Sequence, residues 1–307
     1  MSNEQLGVSE QKTKKWKLFL LFSLLFVIFS LPLSGQNGQI QFDTSASVNW
    51  AQRELNATAS FNLAQAGLRL PAGRLLAEDS LKENYPRLLL PYLLSLRVDS
   101  SSTLGDLLDR GEITLVEINA LSINAERIPP SLTNDLTRMT GRYTIPIERI
   151  SSSLIRHRRI TEPIRPLIPV PTANYTGIII IADEELPIHG RWTSALMEPC
   201  LFPRIWDTDM NLIYERTMTE NLIMVRYTER ENIKRPTPSG LEGELAALVG
   251  PNPLRIFAMR VFGVSPTDPV IDRQDALKIL STENNRRLLR EGRVVFVVDE
   301  RMLITEF

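Results

Sequence analysis

The residues that could do chemistry gather in one stretch of the sequence, between positions 183 and 200. Asp183, Glu184 and Glu185 follow a run of isoleucines in YTGIIIIADEELPIHGR. His189 comes next, and Cys200 is the single cysteine of the chain. Clustered carboxylates bind hard cations through oxygen, and a histidine activates a nearby thiol as a nucleophile. The stretch therefore raises the hypothesis of a metal- or thiol-dependent hydrolase centred on residues 183–200.

The spacing of these residues matches no established motif. Asp207 and Asp209 could add ligands to the acidic triplet, but the spacing of a calcium-binding loop is absent. Neither His157 nor His189 has a second histidine or a cysteine at the spacing of zinc ligands. Cys200 has apolar neighbours in MEPCLFPRIW, which is typical of a buried, unreactive thiol. We therefore predict no catalytic, cofactor-binding or metal-binding residues and no cofactor, and interpret residues 183–191 as a polar surface loop.

The N-terminal residues have the organisation of an export signal. A lysine-rich stretch precedes the uncharged apolar run 18–31, and Pro32 and small polar residues follow it. The run is shorter than the roughly 20 residues that span a bilayer as a helix, which favours a secretory signal over residues 1–35. An uncleaved signal-anchor tethered to the inner membrane is the alternative. No cysteine stands directly after the run for lipid attachment, and a single cysteine excludes an internal disulfide.

The charge balance argues against nucleic acid as a partner. Lysine and arginine total 35 and aspartate and glutamate total 36, whereas nucleic-acid binding needs a basic surface. The basic stretch RHRR, residues 156–159, could contact phosphate or lipid head groups. We interpret it instead as a solvated helix end beside a linker.

Proline spacing divides the remaining chain into two predicted domains. Residues 158–174 contain four prolines, which favour an extended connector and preclude a helix. We predict an N-terminal α+β domain over residues 36–157 that begins with a β-hairpin. A second α+β domain follows over residues 175–307, and both have mixed or antiparallel sheets with flanking helices.

In the first domain, strict apolar alternation over residues 40–63 changes phase once, which predicts a hairpin with one buried face. A helix then runs to about Asn84, and Pro86 and Pro91 interrupt a second one that ends near Leu96. A short capped helix ends at Gly111, and a longer one is stopped by the Pro129–Pro130 pair. GRYTIPIERISSSLIRH predicts a strand followed by a helix.

In the second domain, YTGIIIIA predicts a buried strand, and RIWDTDMNLIYE predicts a hairpin that turns at residues 207–209. NLIMVRY and PLRIFAMRVFG predict strands, with a short helix in GLEGELAALV between them. Asp272 and Asp275 are expected to cap a helix that is stopped by Gly292. RVVFVVD predicts another buried strand.

Several segments of the second domain resemble a known group of proteins. YTGIIIIA, CLFPRIWDTDMNLIYE, NPLRIFAMRVFG, DPVIDRQDALKIL and GRVVFVVDE occur in this order, with NWAQRELNATASFNLAQAG upstream. In these segments the chain resembles the small outer-membrane lipoprotein and flagellum-associated envelope family of exported bacterial proteins. The resemblance implies a structural or assembly role, with envelope or flagellar-assembly proteins as partners.

Three functional hypotheses therefore stand after the sequence alone. The first is a non-enzymatic periplasmic or outer-membrane-associated protein with an assembly role, which contacts the membrane only through its N-terminal segment. The second is the hydrolase centred on residues 183–200. The third is a periplasmic ligand- or peptide-binding module that uses an exposed sheet edge.

Overall fold

The computed structural model of the protein describes residues 40–156, 160–219 and 226–307. The predicted export signal, His157 and residues 221–225 of the predicted strand NLIMVRY lie outside these residues. Among the described helices, none is both long enough and apolar enough to cross a membrane.

The first part of the chain builds an antiparallel sheet from the predicted hairpin. Strands β1 (Asp43–Asn49) and β2 (Glu54–Asn62) pair along their lengths, and in β2 the apolar residues are buried while the polar residues between them are half-buried, as expected. The elements that follow are α1 (Arg74–Ser95), β3 (Arg97–Asp99), β4 (Ser102–Thr103), α2 (Leu104–Asp109), α3 (Leu115–Ile123), β5 (Glu126–Leu132), β6 (Arg138–Pro146) and α4 (Ile147–Leu154). The predicted hairpin, the short helix before Gly111 and the strand-to-helix segment are confirmed.

Two predictions that rested on prolines were wrong. Helix α1 is continuous through Pro86 and Pro91, because its buried face, from Ala77 to Leu93 at every fourth residue, lies away from both prolines. Pro129 and Pro130 do not stop a helix but lie inside β5, after α3 has ended at Ile123. Strand β5 is at the edge of its sheet, where a missing backbone N–H leaves no partner unpaired.

The second part of the chain builds a mixed seven-stranded sheet. The elements of this second part are β7 (Ile178–Ala182), β8 (Leu186–Pro187), β9 (Ser194–Ala195), β10 (Ile205–Asp207), β11 (Leu212–Tyr214), β12 (Arg226–Thr228), α5 (Gly243–Val249), β13 (Leu254–Phe262), β14 (Asp268–Ile271), α6 (Arg273–Leu280), α7 (Glu283–Arg290), β15 (Val294–Val298) and β16 (Ile304–Glu306). Short 3-10 helices lie at Arg216–Met218, Arg230–Lys234 and Glu300–Met302. Strands β8 and β9 form a separate small hairpin. The strand order in the large sheet is β11-β10-β14-β13-β7-β15-β12.

The isoleucine strand β7 is the centre of this sheet. It is buried at every position and pairs in parallel with β13 on one side and β15 on the other. The predicted strands at β7, β13 and β15, the hairpin β10–β11 and helix α5 are confirmed. Together the two parts have a mixed α+β fold, as predicted.

The predicted C-terminal helix is two helices. Asp272 caps α6 as expected, but Asp275 pairs with Lys278 at 2.6 Å and does not accept a backbone amide. Thr282 then accepts a hydrogen bond from the Asn285 amide and starts α7, which ends two residues before Gly292. A threonine at this position begins a new helix because its side chain replaces a lost backbone acceptor.

The end of the chain returns to the first sheet. Strand β16 pairs with β1, and the Trp50 indole donates to Thr305 Oγ1 at 2.9 Å. Residues Gln41–Phe307 accordingly form one compact unit. The first sheet has the order β16-β1-β2-β6-β5.

A buried side chain of helix α7 holds the end of the proline-rich segment. The Asn285 amide donates to the Ala173 and Lys278 carbonyls at 2.9 Å, and its oxygen accepts from the Tyr175 amide at 3.1 Å. Asn285 is 1% exposed, so water does not replace these bonds when they are lost. Residues 160–174 contain no helix or strand, as the prolines predict.

We predict that Asn285→Ala lowers the free energy of unfolding by about 2–3 kcal/mol, because buried backbone groups lose their partners. Urea denaturation followed by circular dichroism measures the change. Asn134→Ala is the control, since Asn134 is exposed and its side chain makes no hydrogen bond to another described residue. Equal stabilities of the two variants would contradict the prediction.

Candidate functional site

Two acids of the triplet, Asp183 and Glu184, are engaged by an arginine, and Glu185 is exposed. Asp183 directly follows β7, its side chain is 8% exposed, and it forms a two-pronged ion pair with Arg230. Arg230 also contacts Glu184 at 3.0 Å. A guanidinium group bound in this way occupies the carboxylate oxygens that a cation would need. These contacts favour a structural role for Asp183 at the end of the central strand.

The other acids considered as metal ligands lie elsewhere. Asp207 is at the end of β10, which is separated from β7 by β14 and β13 and runs antiparallel to it. The carboxyl ends of the two strands therefore lie at opposite edges of the sheet. Asp207 accepts from the Asp209 and Asn211 amides and shapes the β10–β11 turn, while Asp209 pairs with Arg273. Among the described residues, no group of histidines, cysteines and acids is arranged to hold a metal ion.

Cys200 is enclosed in the protein interior. Its backbone exchanges hydrogen bonds with the buried Tyr227 hydroxyl. Burial, together with the negative charge of Asp268, raises the pKa of the Cys200 thiol far above its usual value. The thiolate form that a nucleophile needs is thereby disfavoured.

His189 lies in the turn of the β8–β9 hairpin, within the segment 183–191 that was predicted to be a polar surface loop. The turn is closed by a hydrogen bond from the Ile188 amide to the Thr193 carbonyl and contains Gly190 at φ +79°. The His189 amide donates to the Val261 carbonyl at 2.8 Å, which fixes the hairpin to β13. The His189 ring lies edge-on to Phe262, and its Nδ1 is 3.5 Å from the Arg260 guanidinium.

Beside His189 is an open cleft with an unusual lining, here named the Trp192 cleft. It has a volume of about 620 Å³ and is formed by residues 187, 188 and 190–194 of the hairpin together with Arg260. Trp192 is fully exposed on its wall, and Arg191 and Arg260 are exposed beside it. Neither arginine pairs with a carboxylate of the described residues. The cleft therefore combines two guanidinium groups and an indole without a neutralising acid.

Next to the cleft, an interior strand presents apolar side chains to solvent. Phe257 is 61% exposed and Met259 is 53% exposed, although β13 has a hydrogen-bonded strand on each side. Phe257 is level with Ile181 of β7, so the two side chains point to the same face of the sheet. Over β7 and β15 that face is covered by a core that includes Leu241 and Val249, but the cover ends before Phe257. We name Phe257 and Met259 the uncovered strand face.

A buried carboxylate holds this region in place. Asp268 is completely buried and accepts hydrogen bonds from the Ser100 and Thr267 hydroxyls at 2.7 and 2.9 Å. It also accepts from the Arg204 amide and the Trp206 indole at 3.1 and 3.4 Å. The Trp206 ring packs edge-on against Phe262, which is the ring that contacts His189.

Burial raises the pKa of Asp268 above its usual value of 3.8, although the hydrogen bonds from Ser100, the Arg204 amide, Thr267 and Trp206 oppose that shift. The loss of water around a buried carboxylate favours its protonated form. The hydrogen bonds of Asp268 thus hold the aromatic rings behind the Trp192 cleft in place. Burial makes the ionised form of this carboxylate energetically unfavourable.

Sequence reasoning identified His189 but missed the residues that surround it. Arg260 and Phe262 lie far from His189 in the sequence, with several strands of the second sheet between them. No local sequence pattern therefore links these residues. Trp192 was detectable, because a tryptophan in the polar stretch HGRWTS has no apolar periodicity to bury it. Asp268 gave no comparable signal, since its partners Ser100 and Trp206 lie in distant parts of the chain.

By its fold and candidate site, the chain is an α+β protein with two sheets, a cationic cleft and an uncovered strand face. Residues 41–153 match the family model described as Treponema pallidum Tp0624, N-terminal domain. Residues 177–300 match the model described as the second domain of Tp0624. No curated protein matches the chain. The two descriptions name neither a lipoprotein nor a flagellar protein, so the resemblance to that group stays a prediction.

We predict that the stability advantage of the natural protein over Asp268→Asn increases as pH falls from about 7 toward 4. Because the pKa of Asp268 is raised by folding, the folded state takes up a proton before the unfolded state does, and this uptake stabilises it. Urea denaturation of both proteins across this range measures the difference.

The comparison isolates Asp268, because both proteins share the carboxylates whose pKa values are lowered, such as Asp135 and Glu283. Those groups make both proteins less stable in acid. Parallel pH profiles would show that Asp268 does not titrate differently in the folded state.

Proposed function

We propose that the protein is a non-enzymatic, exported envelope protein with a structural or assembly role, which it performs by binding another protein. The observation that carries the proposal is the uncovered strand face. Strand β13 pairs in parallel with β7, and parallel strands are normally covered on both faces. Exposed apolar patches on folded proteins mark interaction sites. An apolar surface of a partner would complete the cover that ends before Phe257.

The composition of the neighbouring cleft supports the same role. Tryptophan and arginine are the residue types that most often dominate the binding energy of protein interfaces. Trp192, Arg191 and Arg260 are exposed together beside the uncovered strand face, and Arg260 directly follows Met259 on β13. An enzyme would need an activated group at this place, whereas the candidate thiol is buried and the candidate acids are paired or separated.

The N-terminal segment supports an extracytoplasmic address for this activity. The lysine-rich stretch and the apolar run 18–31 have the order of an export signal. We propose periplasmic or outer-membrane-associated partners, among them envelope or flagellar-assembly proteins. Fractionation of cells with N-terminal sequencing of the recovered protein tests the address separately from binding.

We predict that a photo-crosslinking amino acid at position 257 or 259 yields one discrete cross-link to a different protein in intact cells. A benzophenone side chain at these positions would lie within the buried contact, because it replaces a residue of the uncovered strand face. The control is the same substitution at Leu75, which is 71% exposed on α1 in the other part of the chain. Electrophoresis and mass spectrometry identify the products.

A second variant separates binding from folding. Phe257→Ser should leave the thermal midpoint within about 2 °C of the natural value, since an exposed side chain contributes little to the core. It should nevertheless abolish the cross-link from position 259. The proposal would be refuted if positions 75 and 257 gave identical products, or if positions 257 and 259 gave none. Cross-links to a second copy of the chain would show that the uncovered strand face mediates self-association and does not bind a different protein.

A further inference from the structure

The Trp192 cleft has an excess of positive charge that the folded chain leaves uncompensated. Several other arginines in the second part of the chain pair with acids, as Arg230 does with Asp183 and Arg273 with Asp209. By contrast, Arg191 makes no ion pair within the described residues, and Arg260 has only the His189 ring as a side-chain partner. Guanidinium groups exposed together in a concave site attract carboxylate or phosphate groups, which they bind with paired hydrogen bonds.

The cleft is held in a defined shape before any ligand arrives. The Arg191 amide donates to the Ile188 carbonyl at 3.0 Å, and the His189 amide is bonded to β13. Arg260 lies on β13 itself, so the two guanidinium groups project from elements that are tied together by backbone hydrogen bonds. Such preorganisation reduces the entropy lost on binding.

Part of the remaining wall of the cleft is apolar, beside the polar residues Thr193 and Ser194. Trp192 is fully exposed, and Pro187 and Ile188 also line the site. A ligand that fills the cleft must therefore present an apolar or aromatic group together with its negative charge. A bare phosphate or a simple anion would leave this wall uncovered.

We infer that the cleft binds an acidic segment of the partner protein, in which carboxylate side chains stand next to an apolar or aromatic residue. This inference rests on the proposed function and specifies the chemistry of the partner. A protein ligand is favoured over an anionic glycan because Arg260 directly follows the uncovered strand face on β13. The exposed Phe257 and Met259 of that face require an apolar surface, which a protein can supply together with carboxylates. One partner segment can then cover the strand face and place its acids between Arg191 and Arg260.

The test measures binding of defined probes to the full chain by fluorescence anisotropy. The first probe is a labelled peptide of glutamate alternating with phenylalanine, the second has glutamine in place of glutamate, and polygalacturonate is a competing anionic glycan. The glutamate peptide should bind about tenfold or more tightly than the glutamine peptide, and its affinity should fall with added salt.

The double variant Arg191→Gln with Arg260→Gln should weaken binding of the glutamate peptide by about tenfold or more, because both guanidinium groups are lost. The matched control is Arg69→Gln with Arg142→Gln, which removes the same charge from two exposed arginines outside the second sheet. That control should bind within about twofold of the natural chain, because screening weakens distant charges.

Three outcomes would overturn the inference: no measurable binding of the glutamate peptide, equal losses in the two double variants, or tighter binding of polygalacturonate than of the peptide. The cross-links at positions 257 and 259 keep this failure distinct from failure of the proposed function. If they persist in the Arg191→Gln, Arg260→Gln variant, the protein-binding role stands and only the acidic chemistry is wrong.

Discussion

The buried carboxylate of Asp268 is the constraint on which the candidate site depends. Its oxygens accept hydrogen bonds from two distant segments, at Ser100 and at Arg204 and Trp206, and the absence of water makes each bond costly to lose. Through Trp206 and Phe262 the same network supports the ring of His189. A polar cluster in the interior therefore supports the surface cleft. The loop between β3 and β4 contributes to this cluster through Ser100.

A second constraint is the incomplete cover of the large sheet. Helix α5 and the residues before it protect the central strand β7 and its neighbour β15, where Ile179, Ile181 and Val295 form a continuous core. The same face over β13 has Phe257 and Met259 in contact with solvent. This arrangement is stable because the strands on both sides of β13 satisfy its backbone, while the exposed side chains contribute little to the stability of the isolated chain. The surface that results is suited to contact with another protein.

Much of the fold was predictable because its patterns are local. Alternation identified β2, the isoleucine run identified β7, and the threonine and aspartate spacing at α2 gave a capping box. Predictions failed where tertiary packing outweighed a local signal. The packing of Leu81, Tyr85 and Leu89 carries α1 through its prolines, and an edge position accommodates Pro129 and Pro130 in β5. The functional surroundings of His189 were not predictable, since Arg260 and Phe262 reach it only through strand pairing.

The sequence by itself determined the elements, the α+β class and the buried character of the isoleucine strand, because hydrophobic periodicity and capping act over a few residues. Only the tertiary structure decided which charges remain unpaired. It placed Arg230 on Asp183 and left Arg191 and Arg260 beside an exposed tryptophan, so Asp183 became structural and the cleft became cationic. Charge pairing depends on distances between residues far apart in the chain, which are set when the strands of the second sheet assume their order.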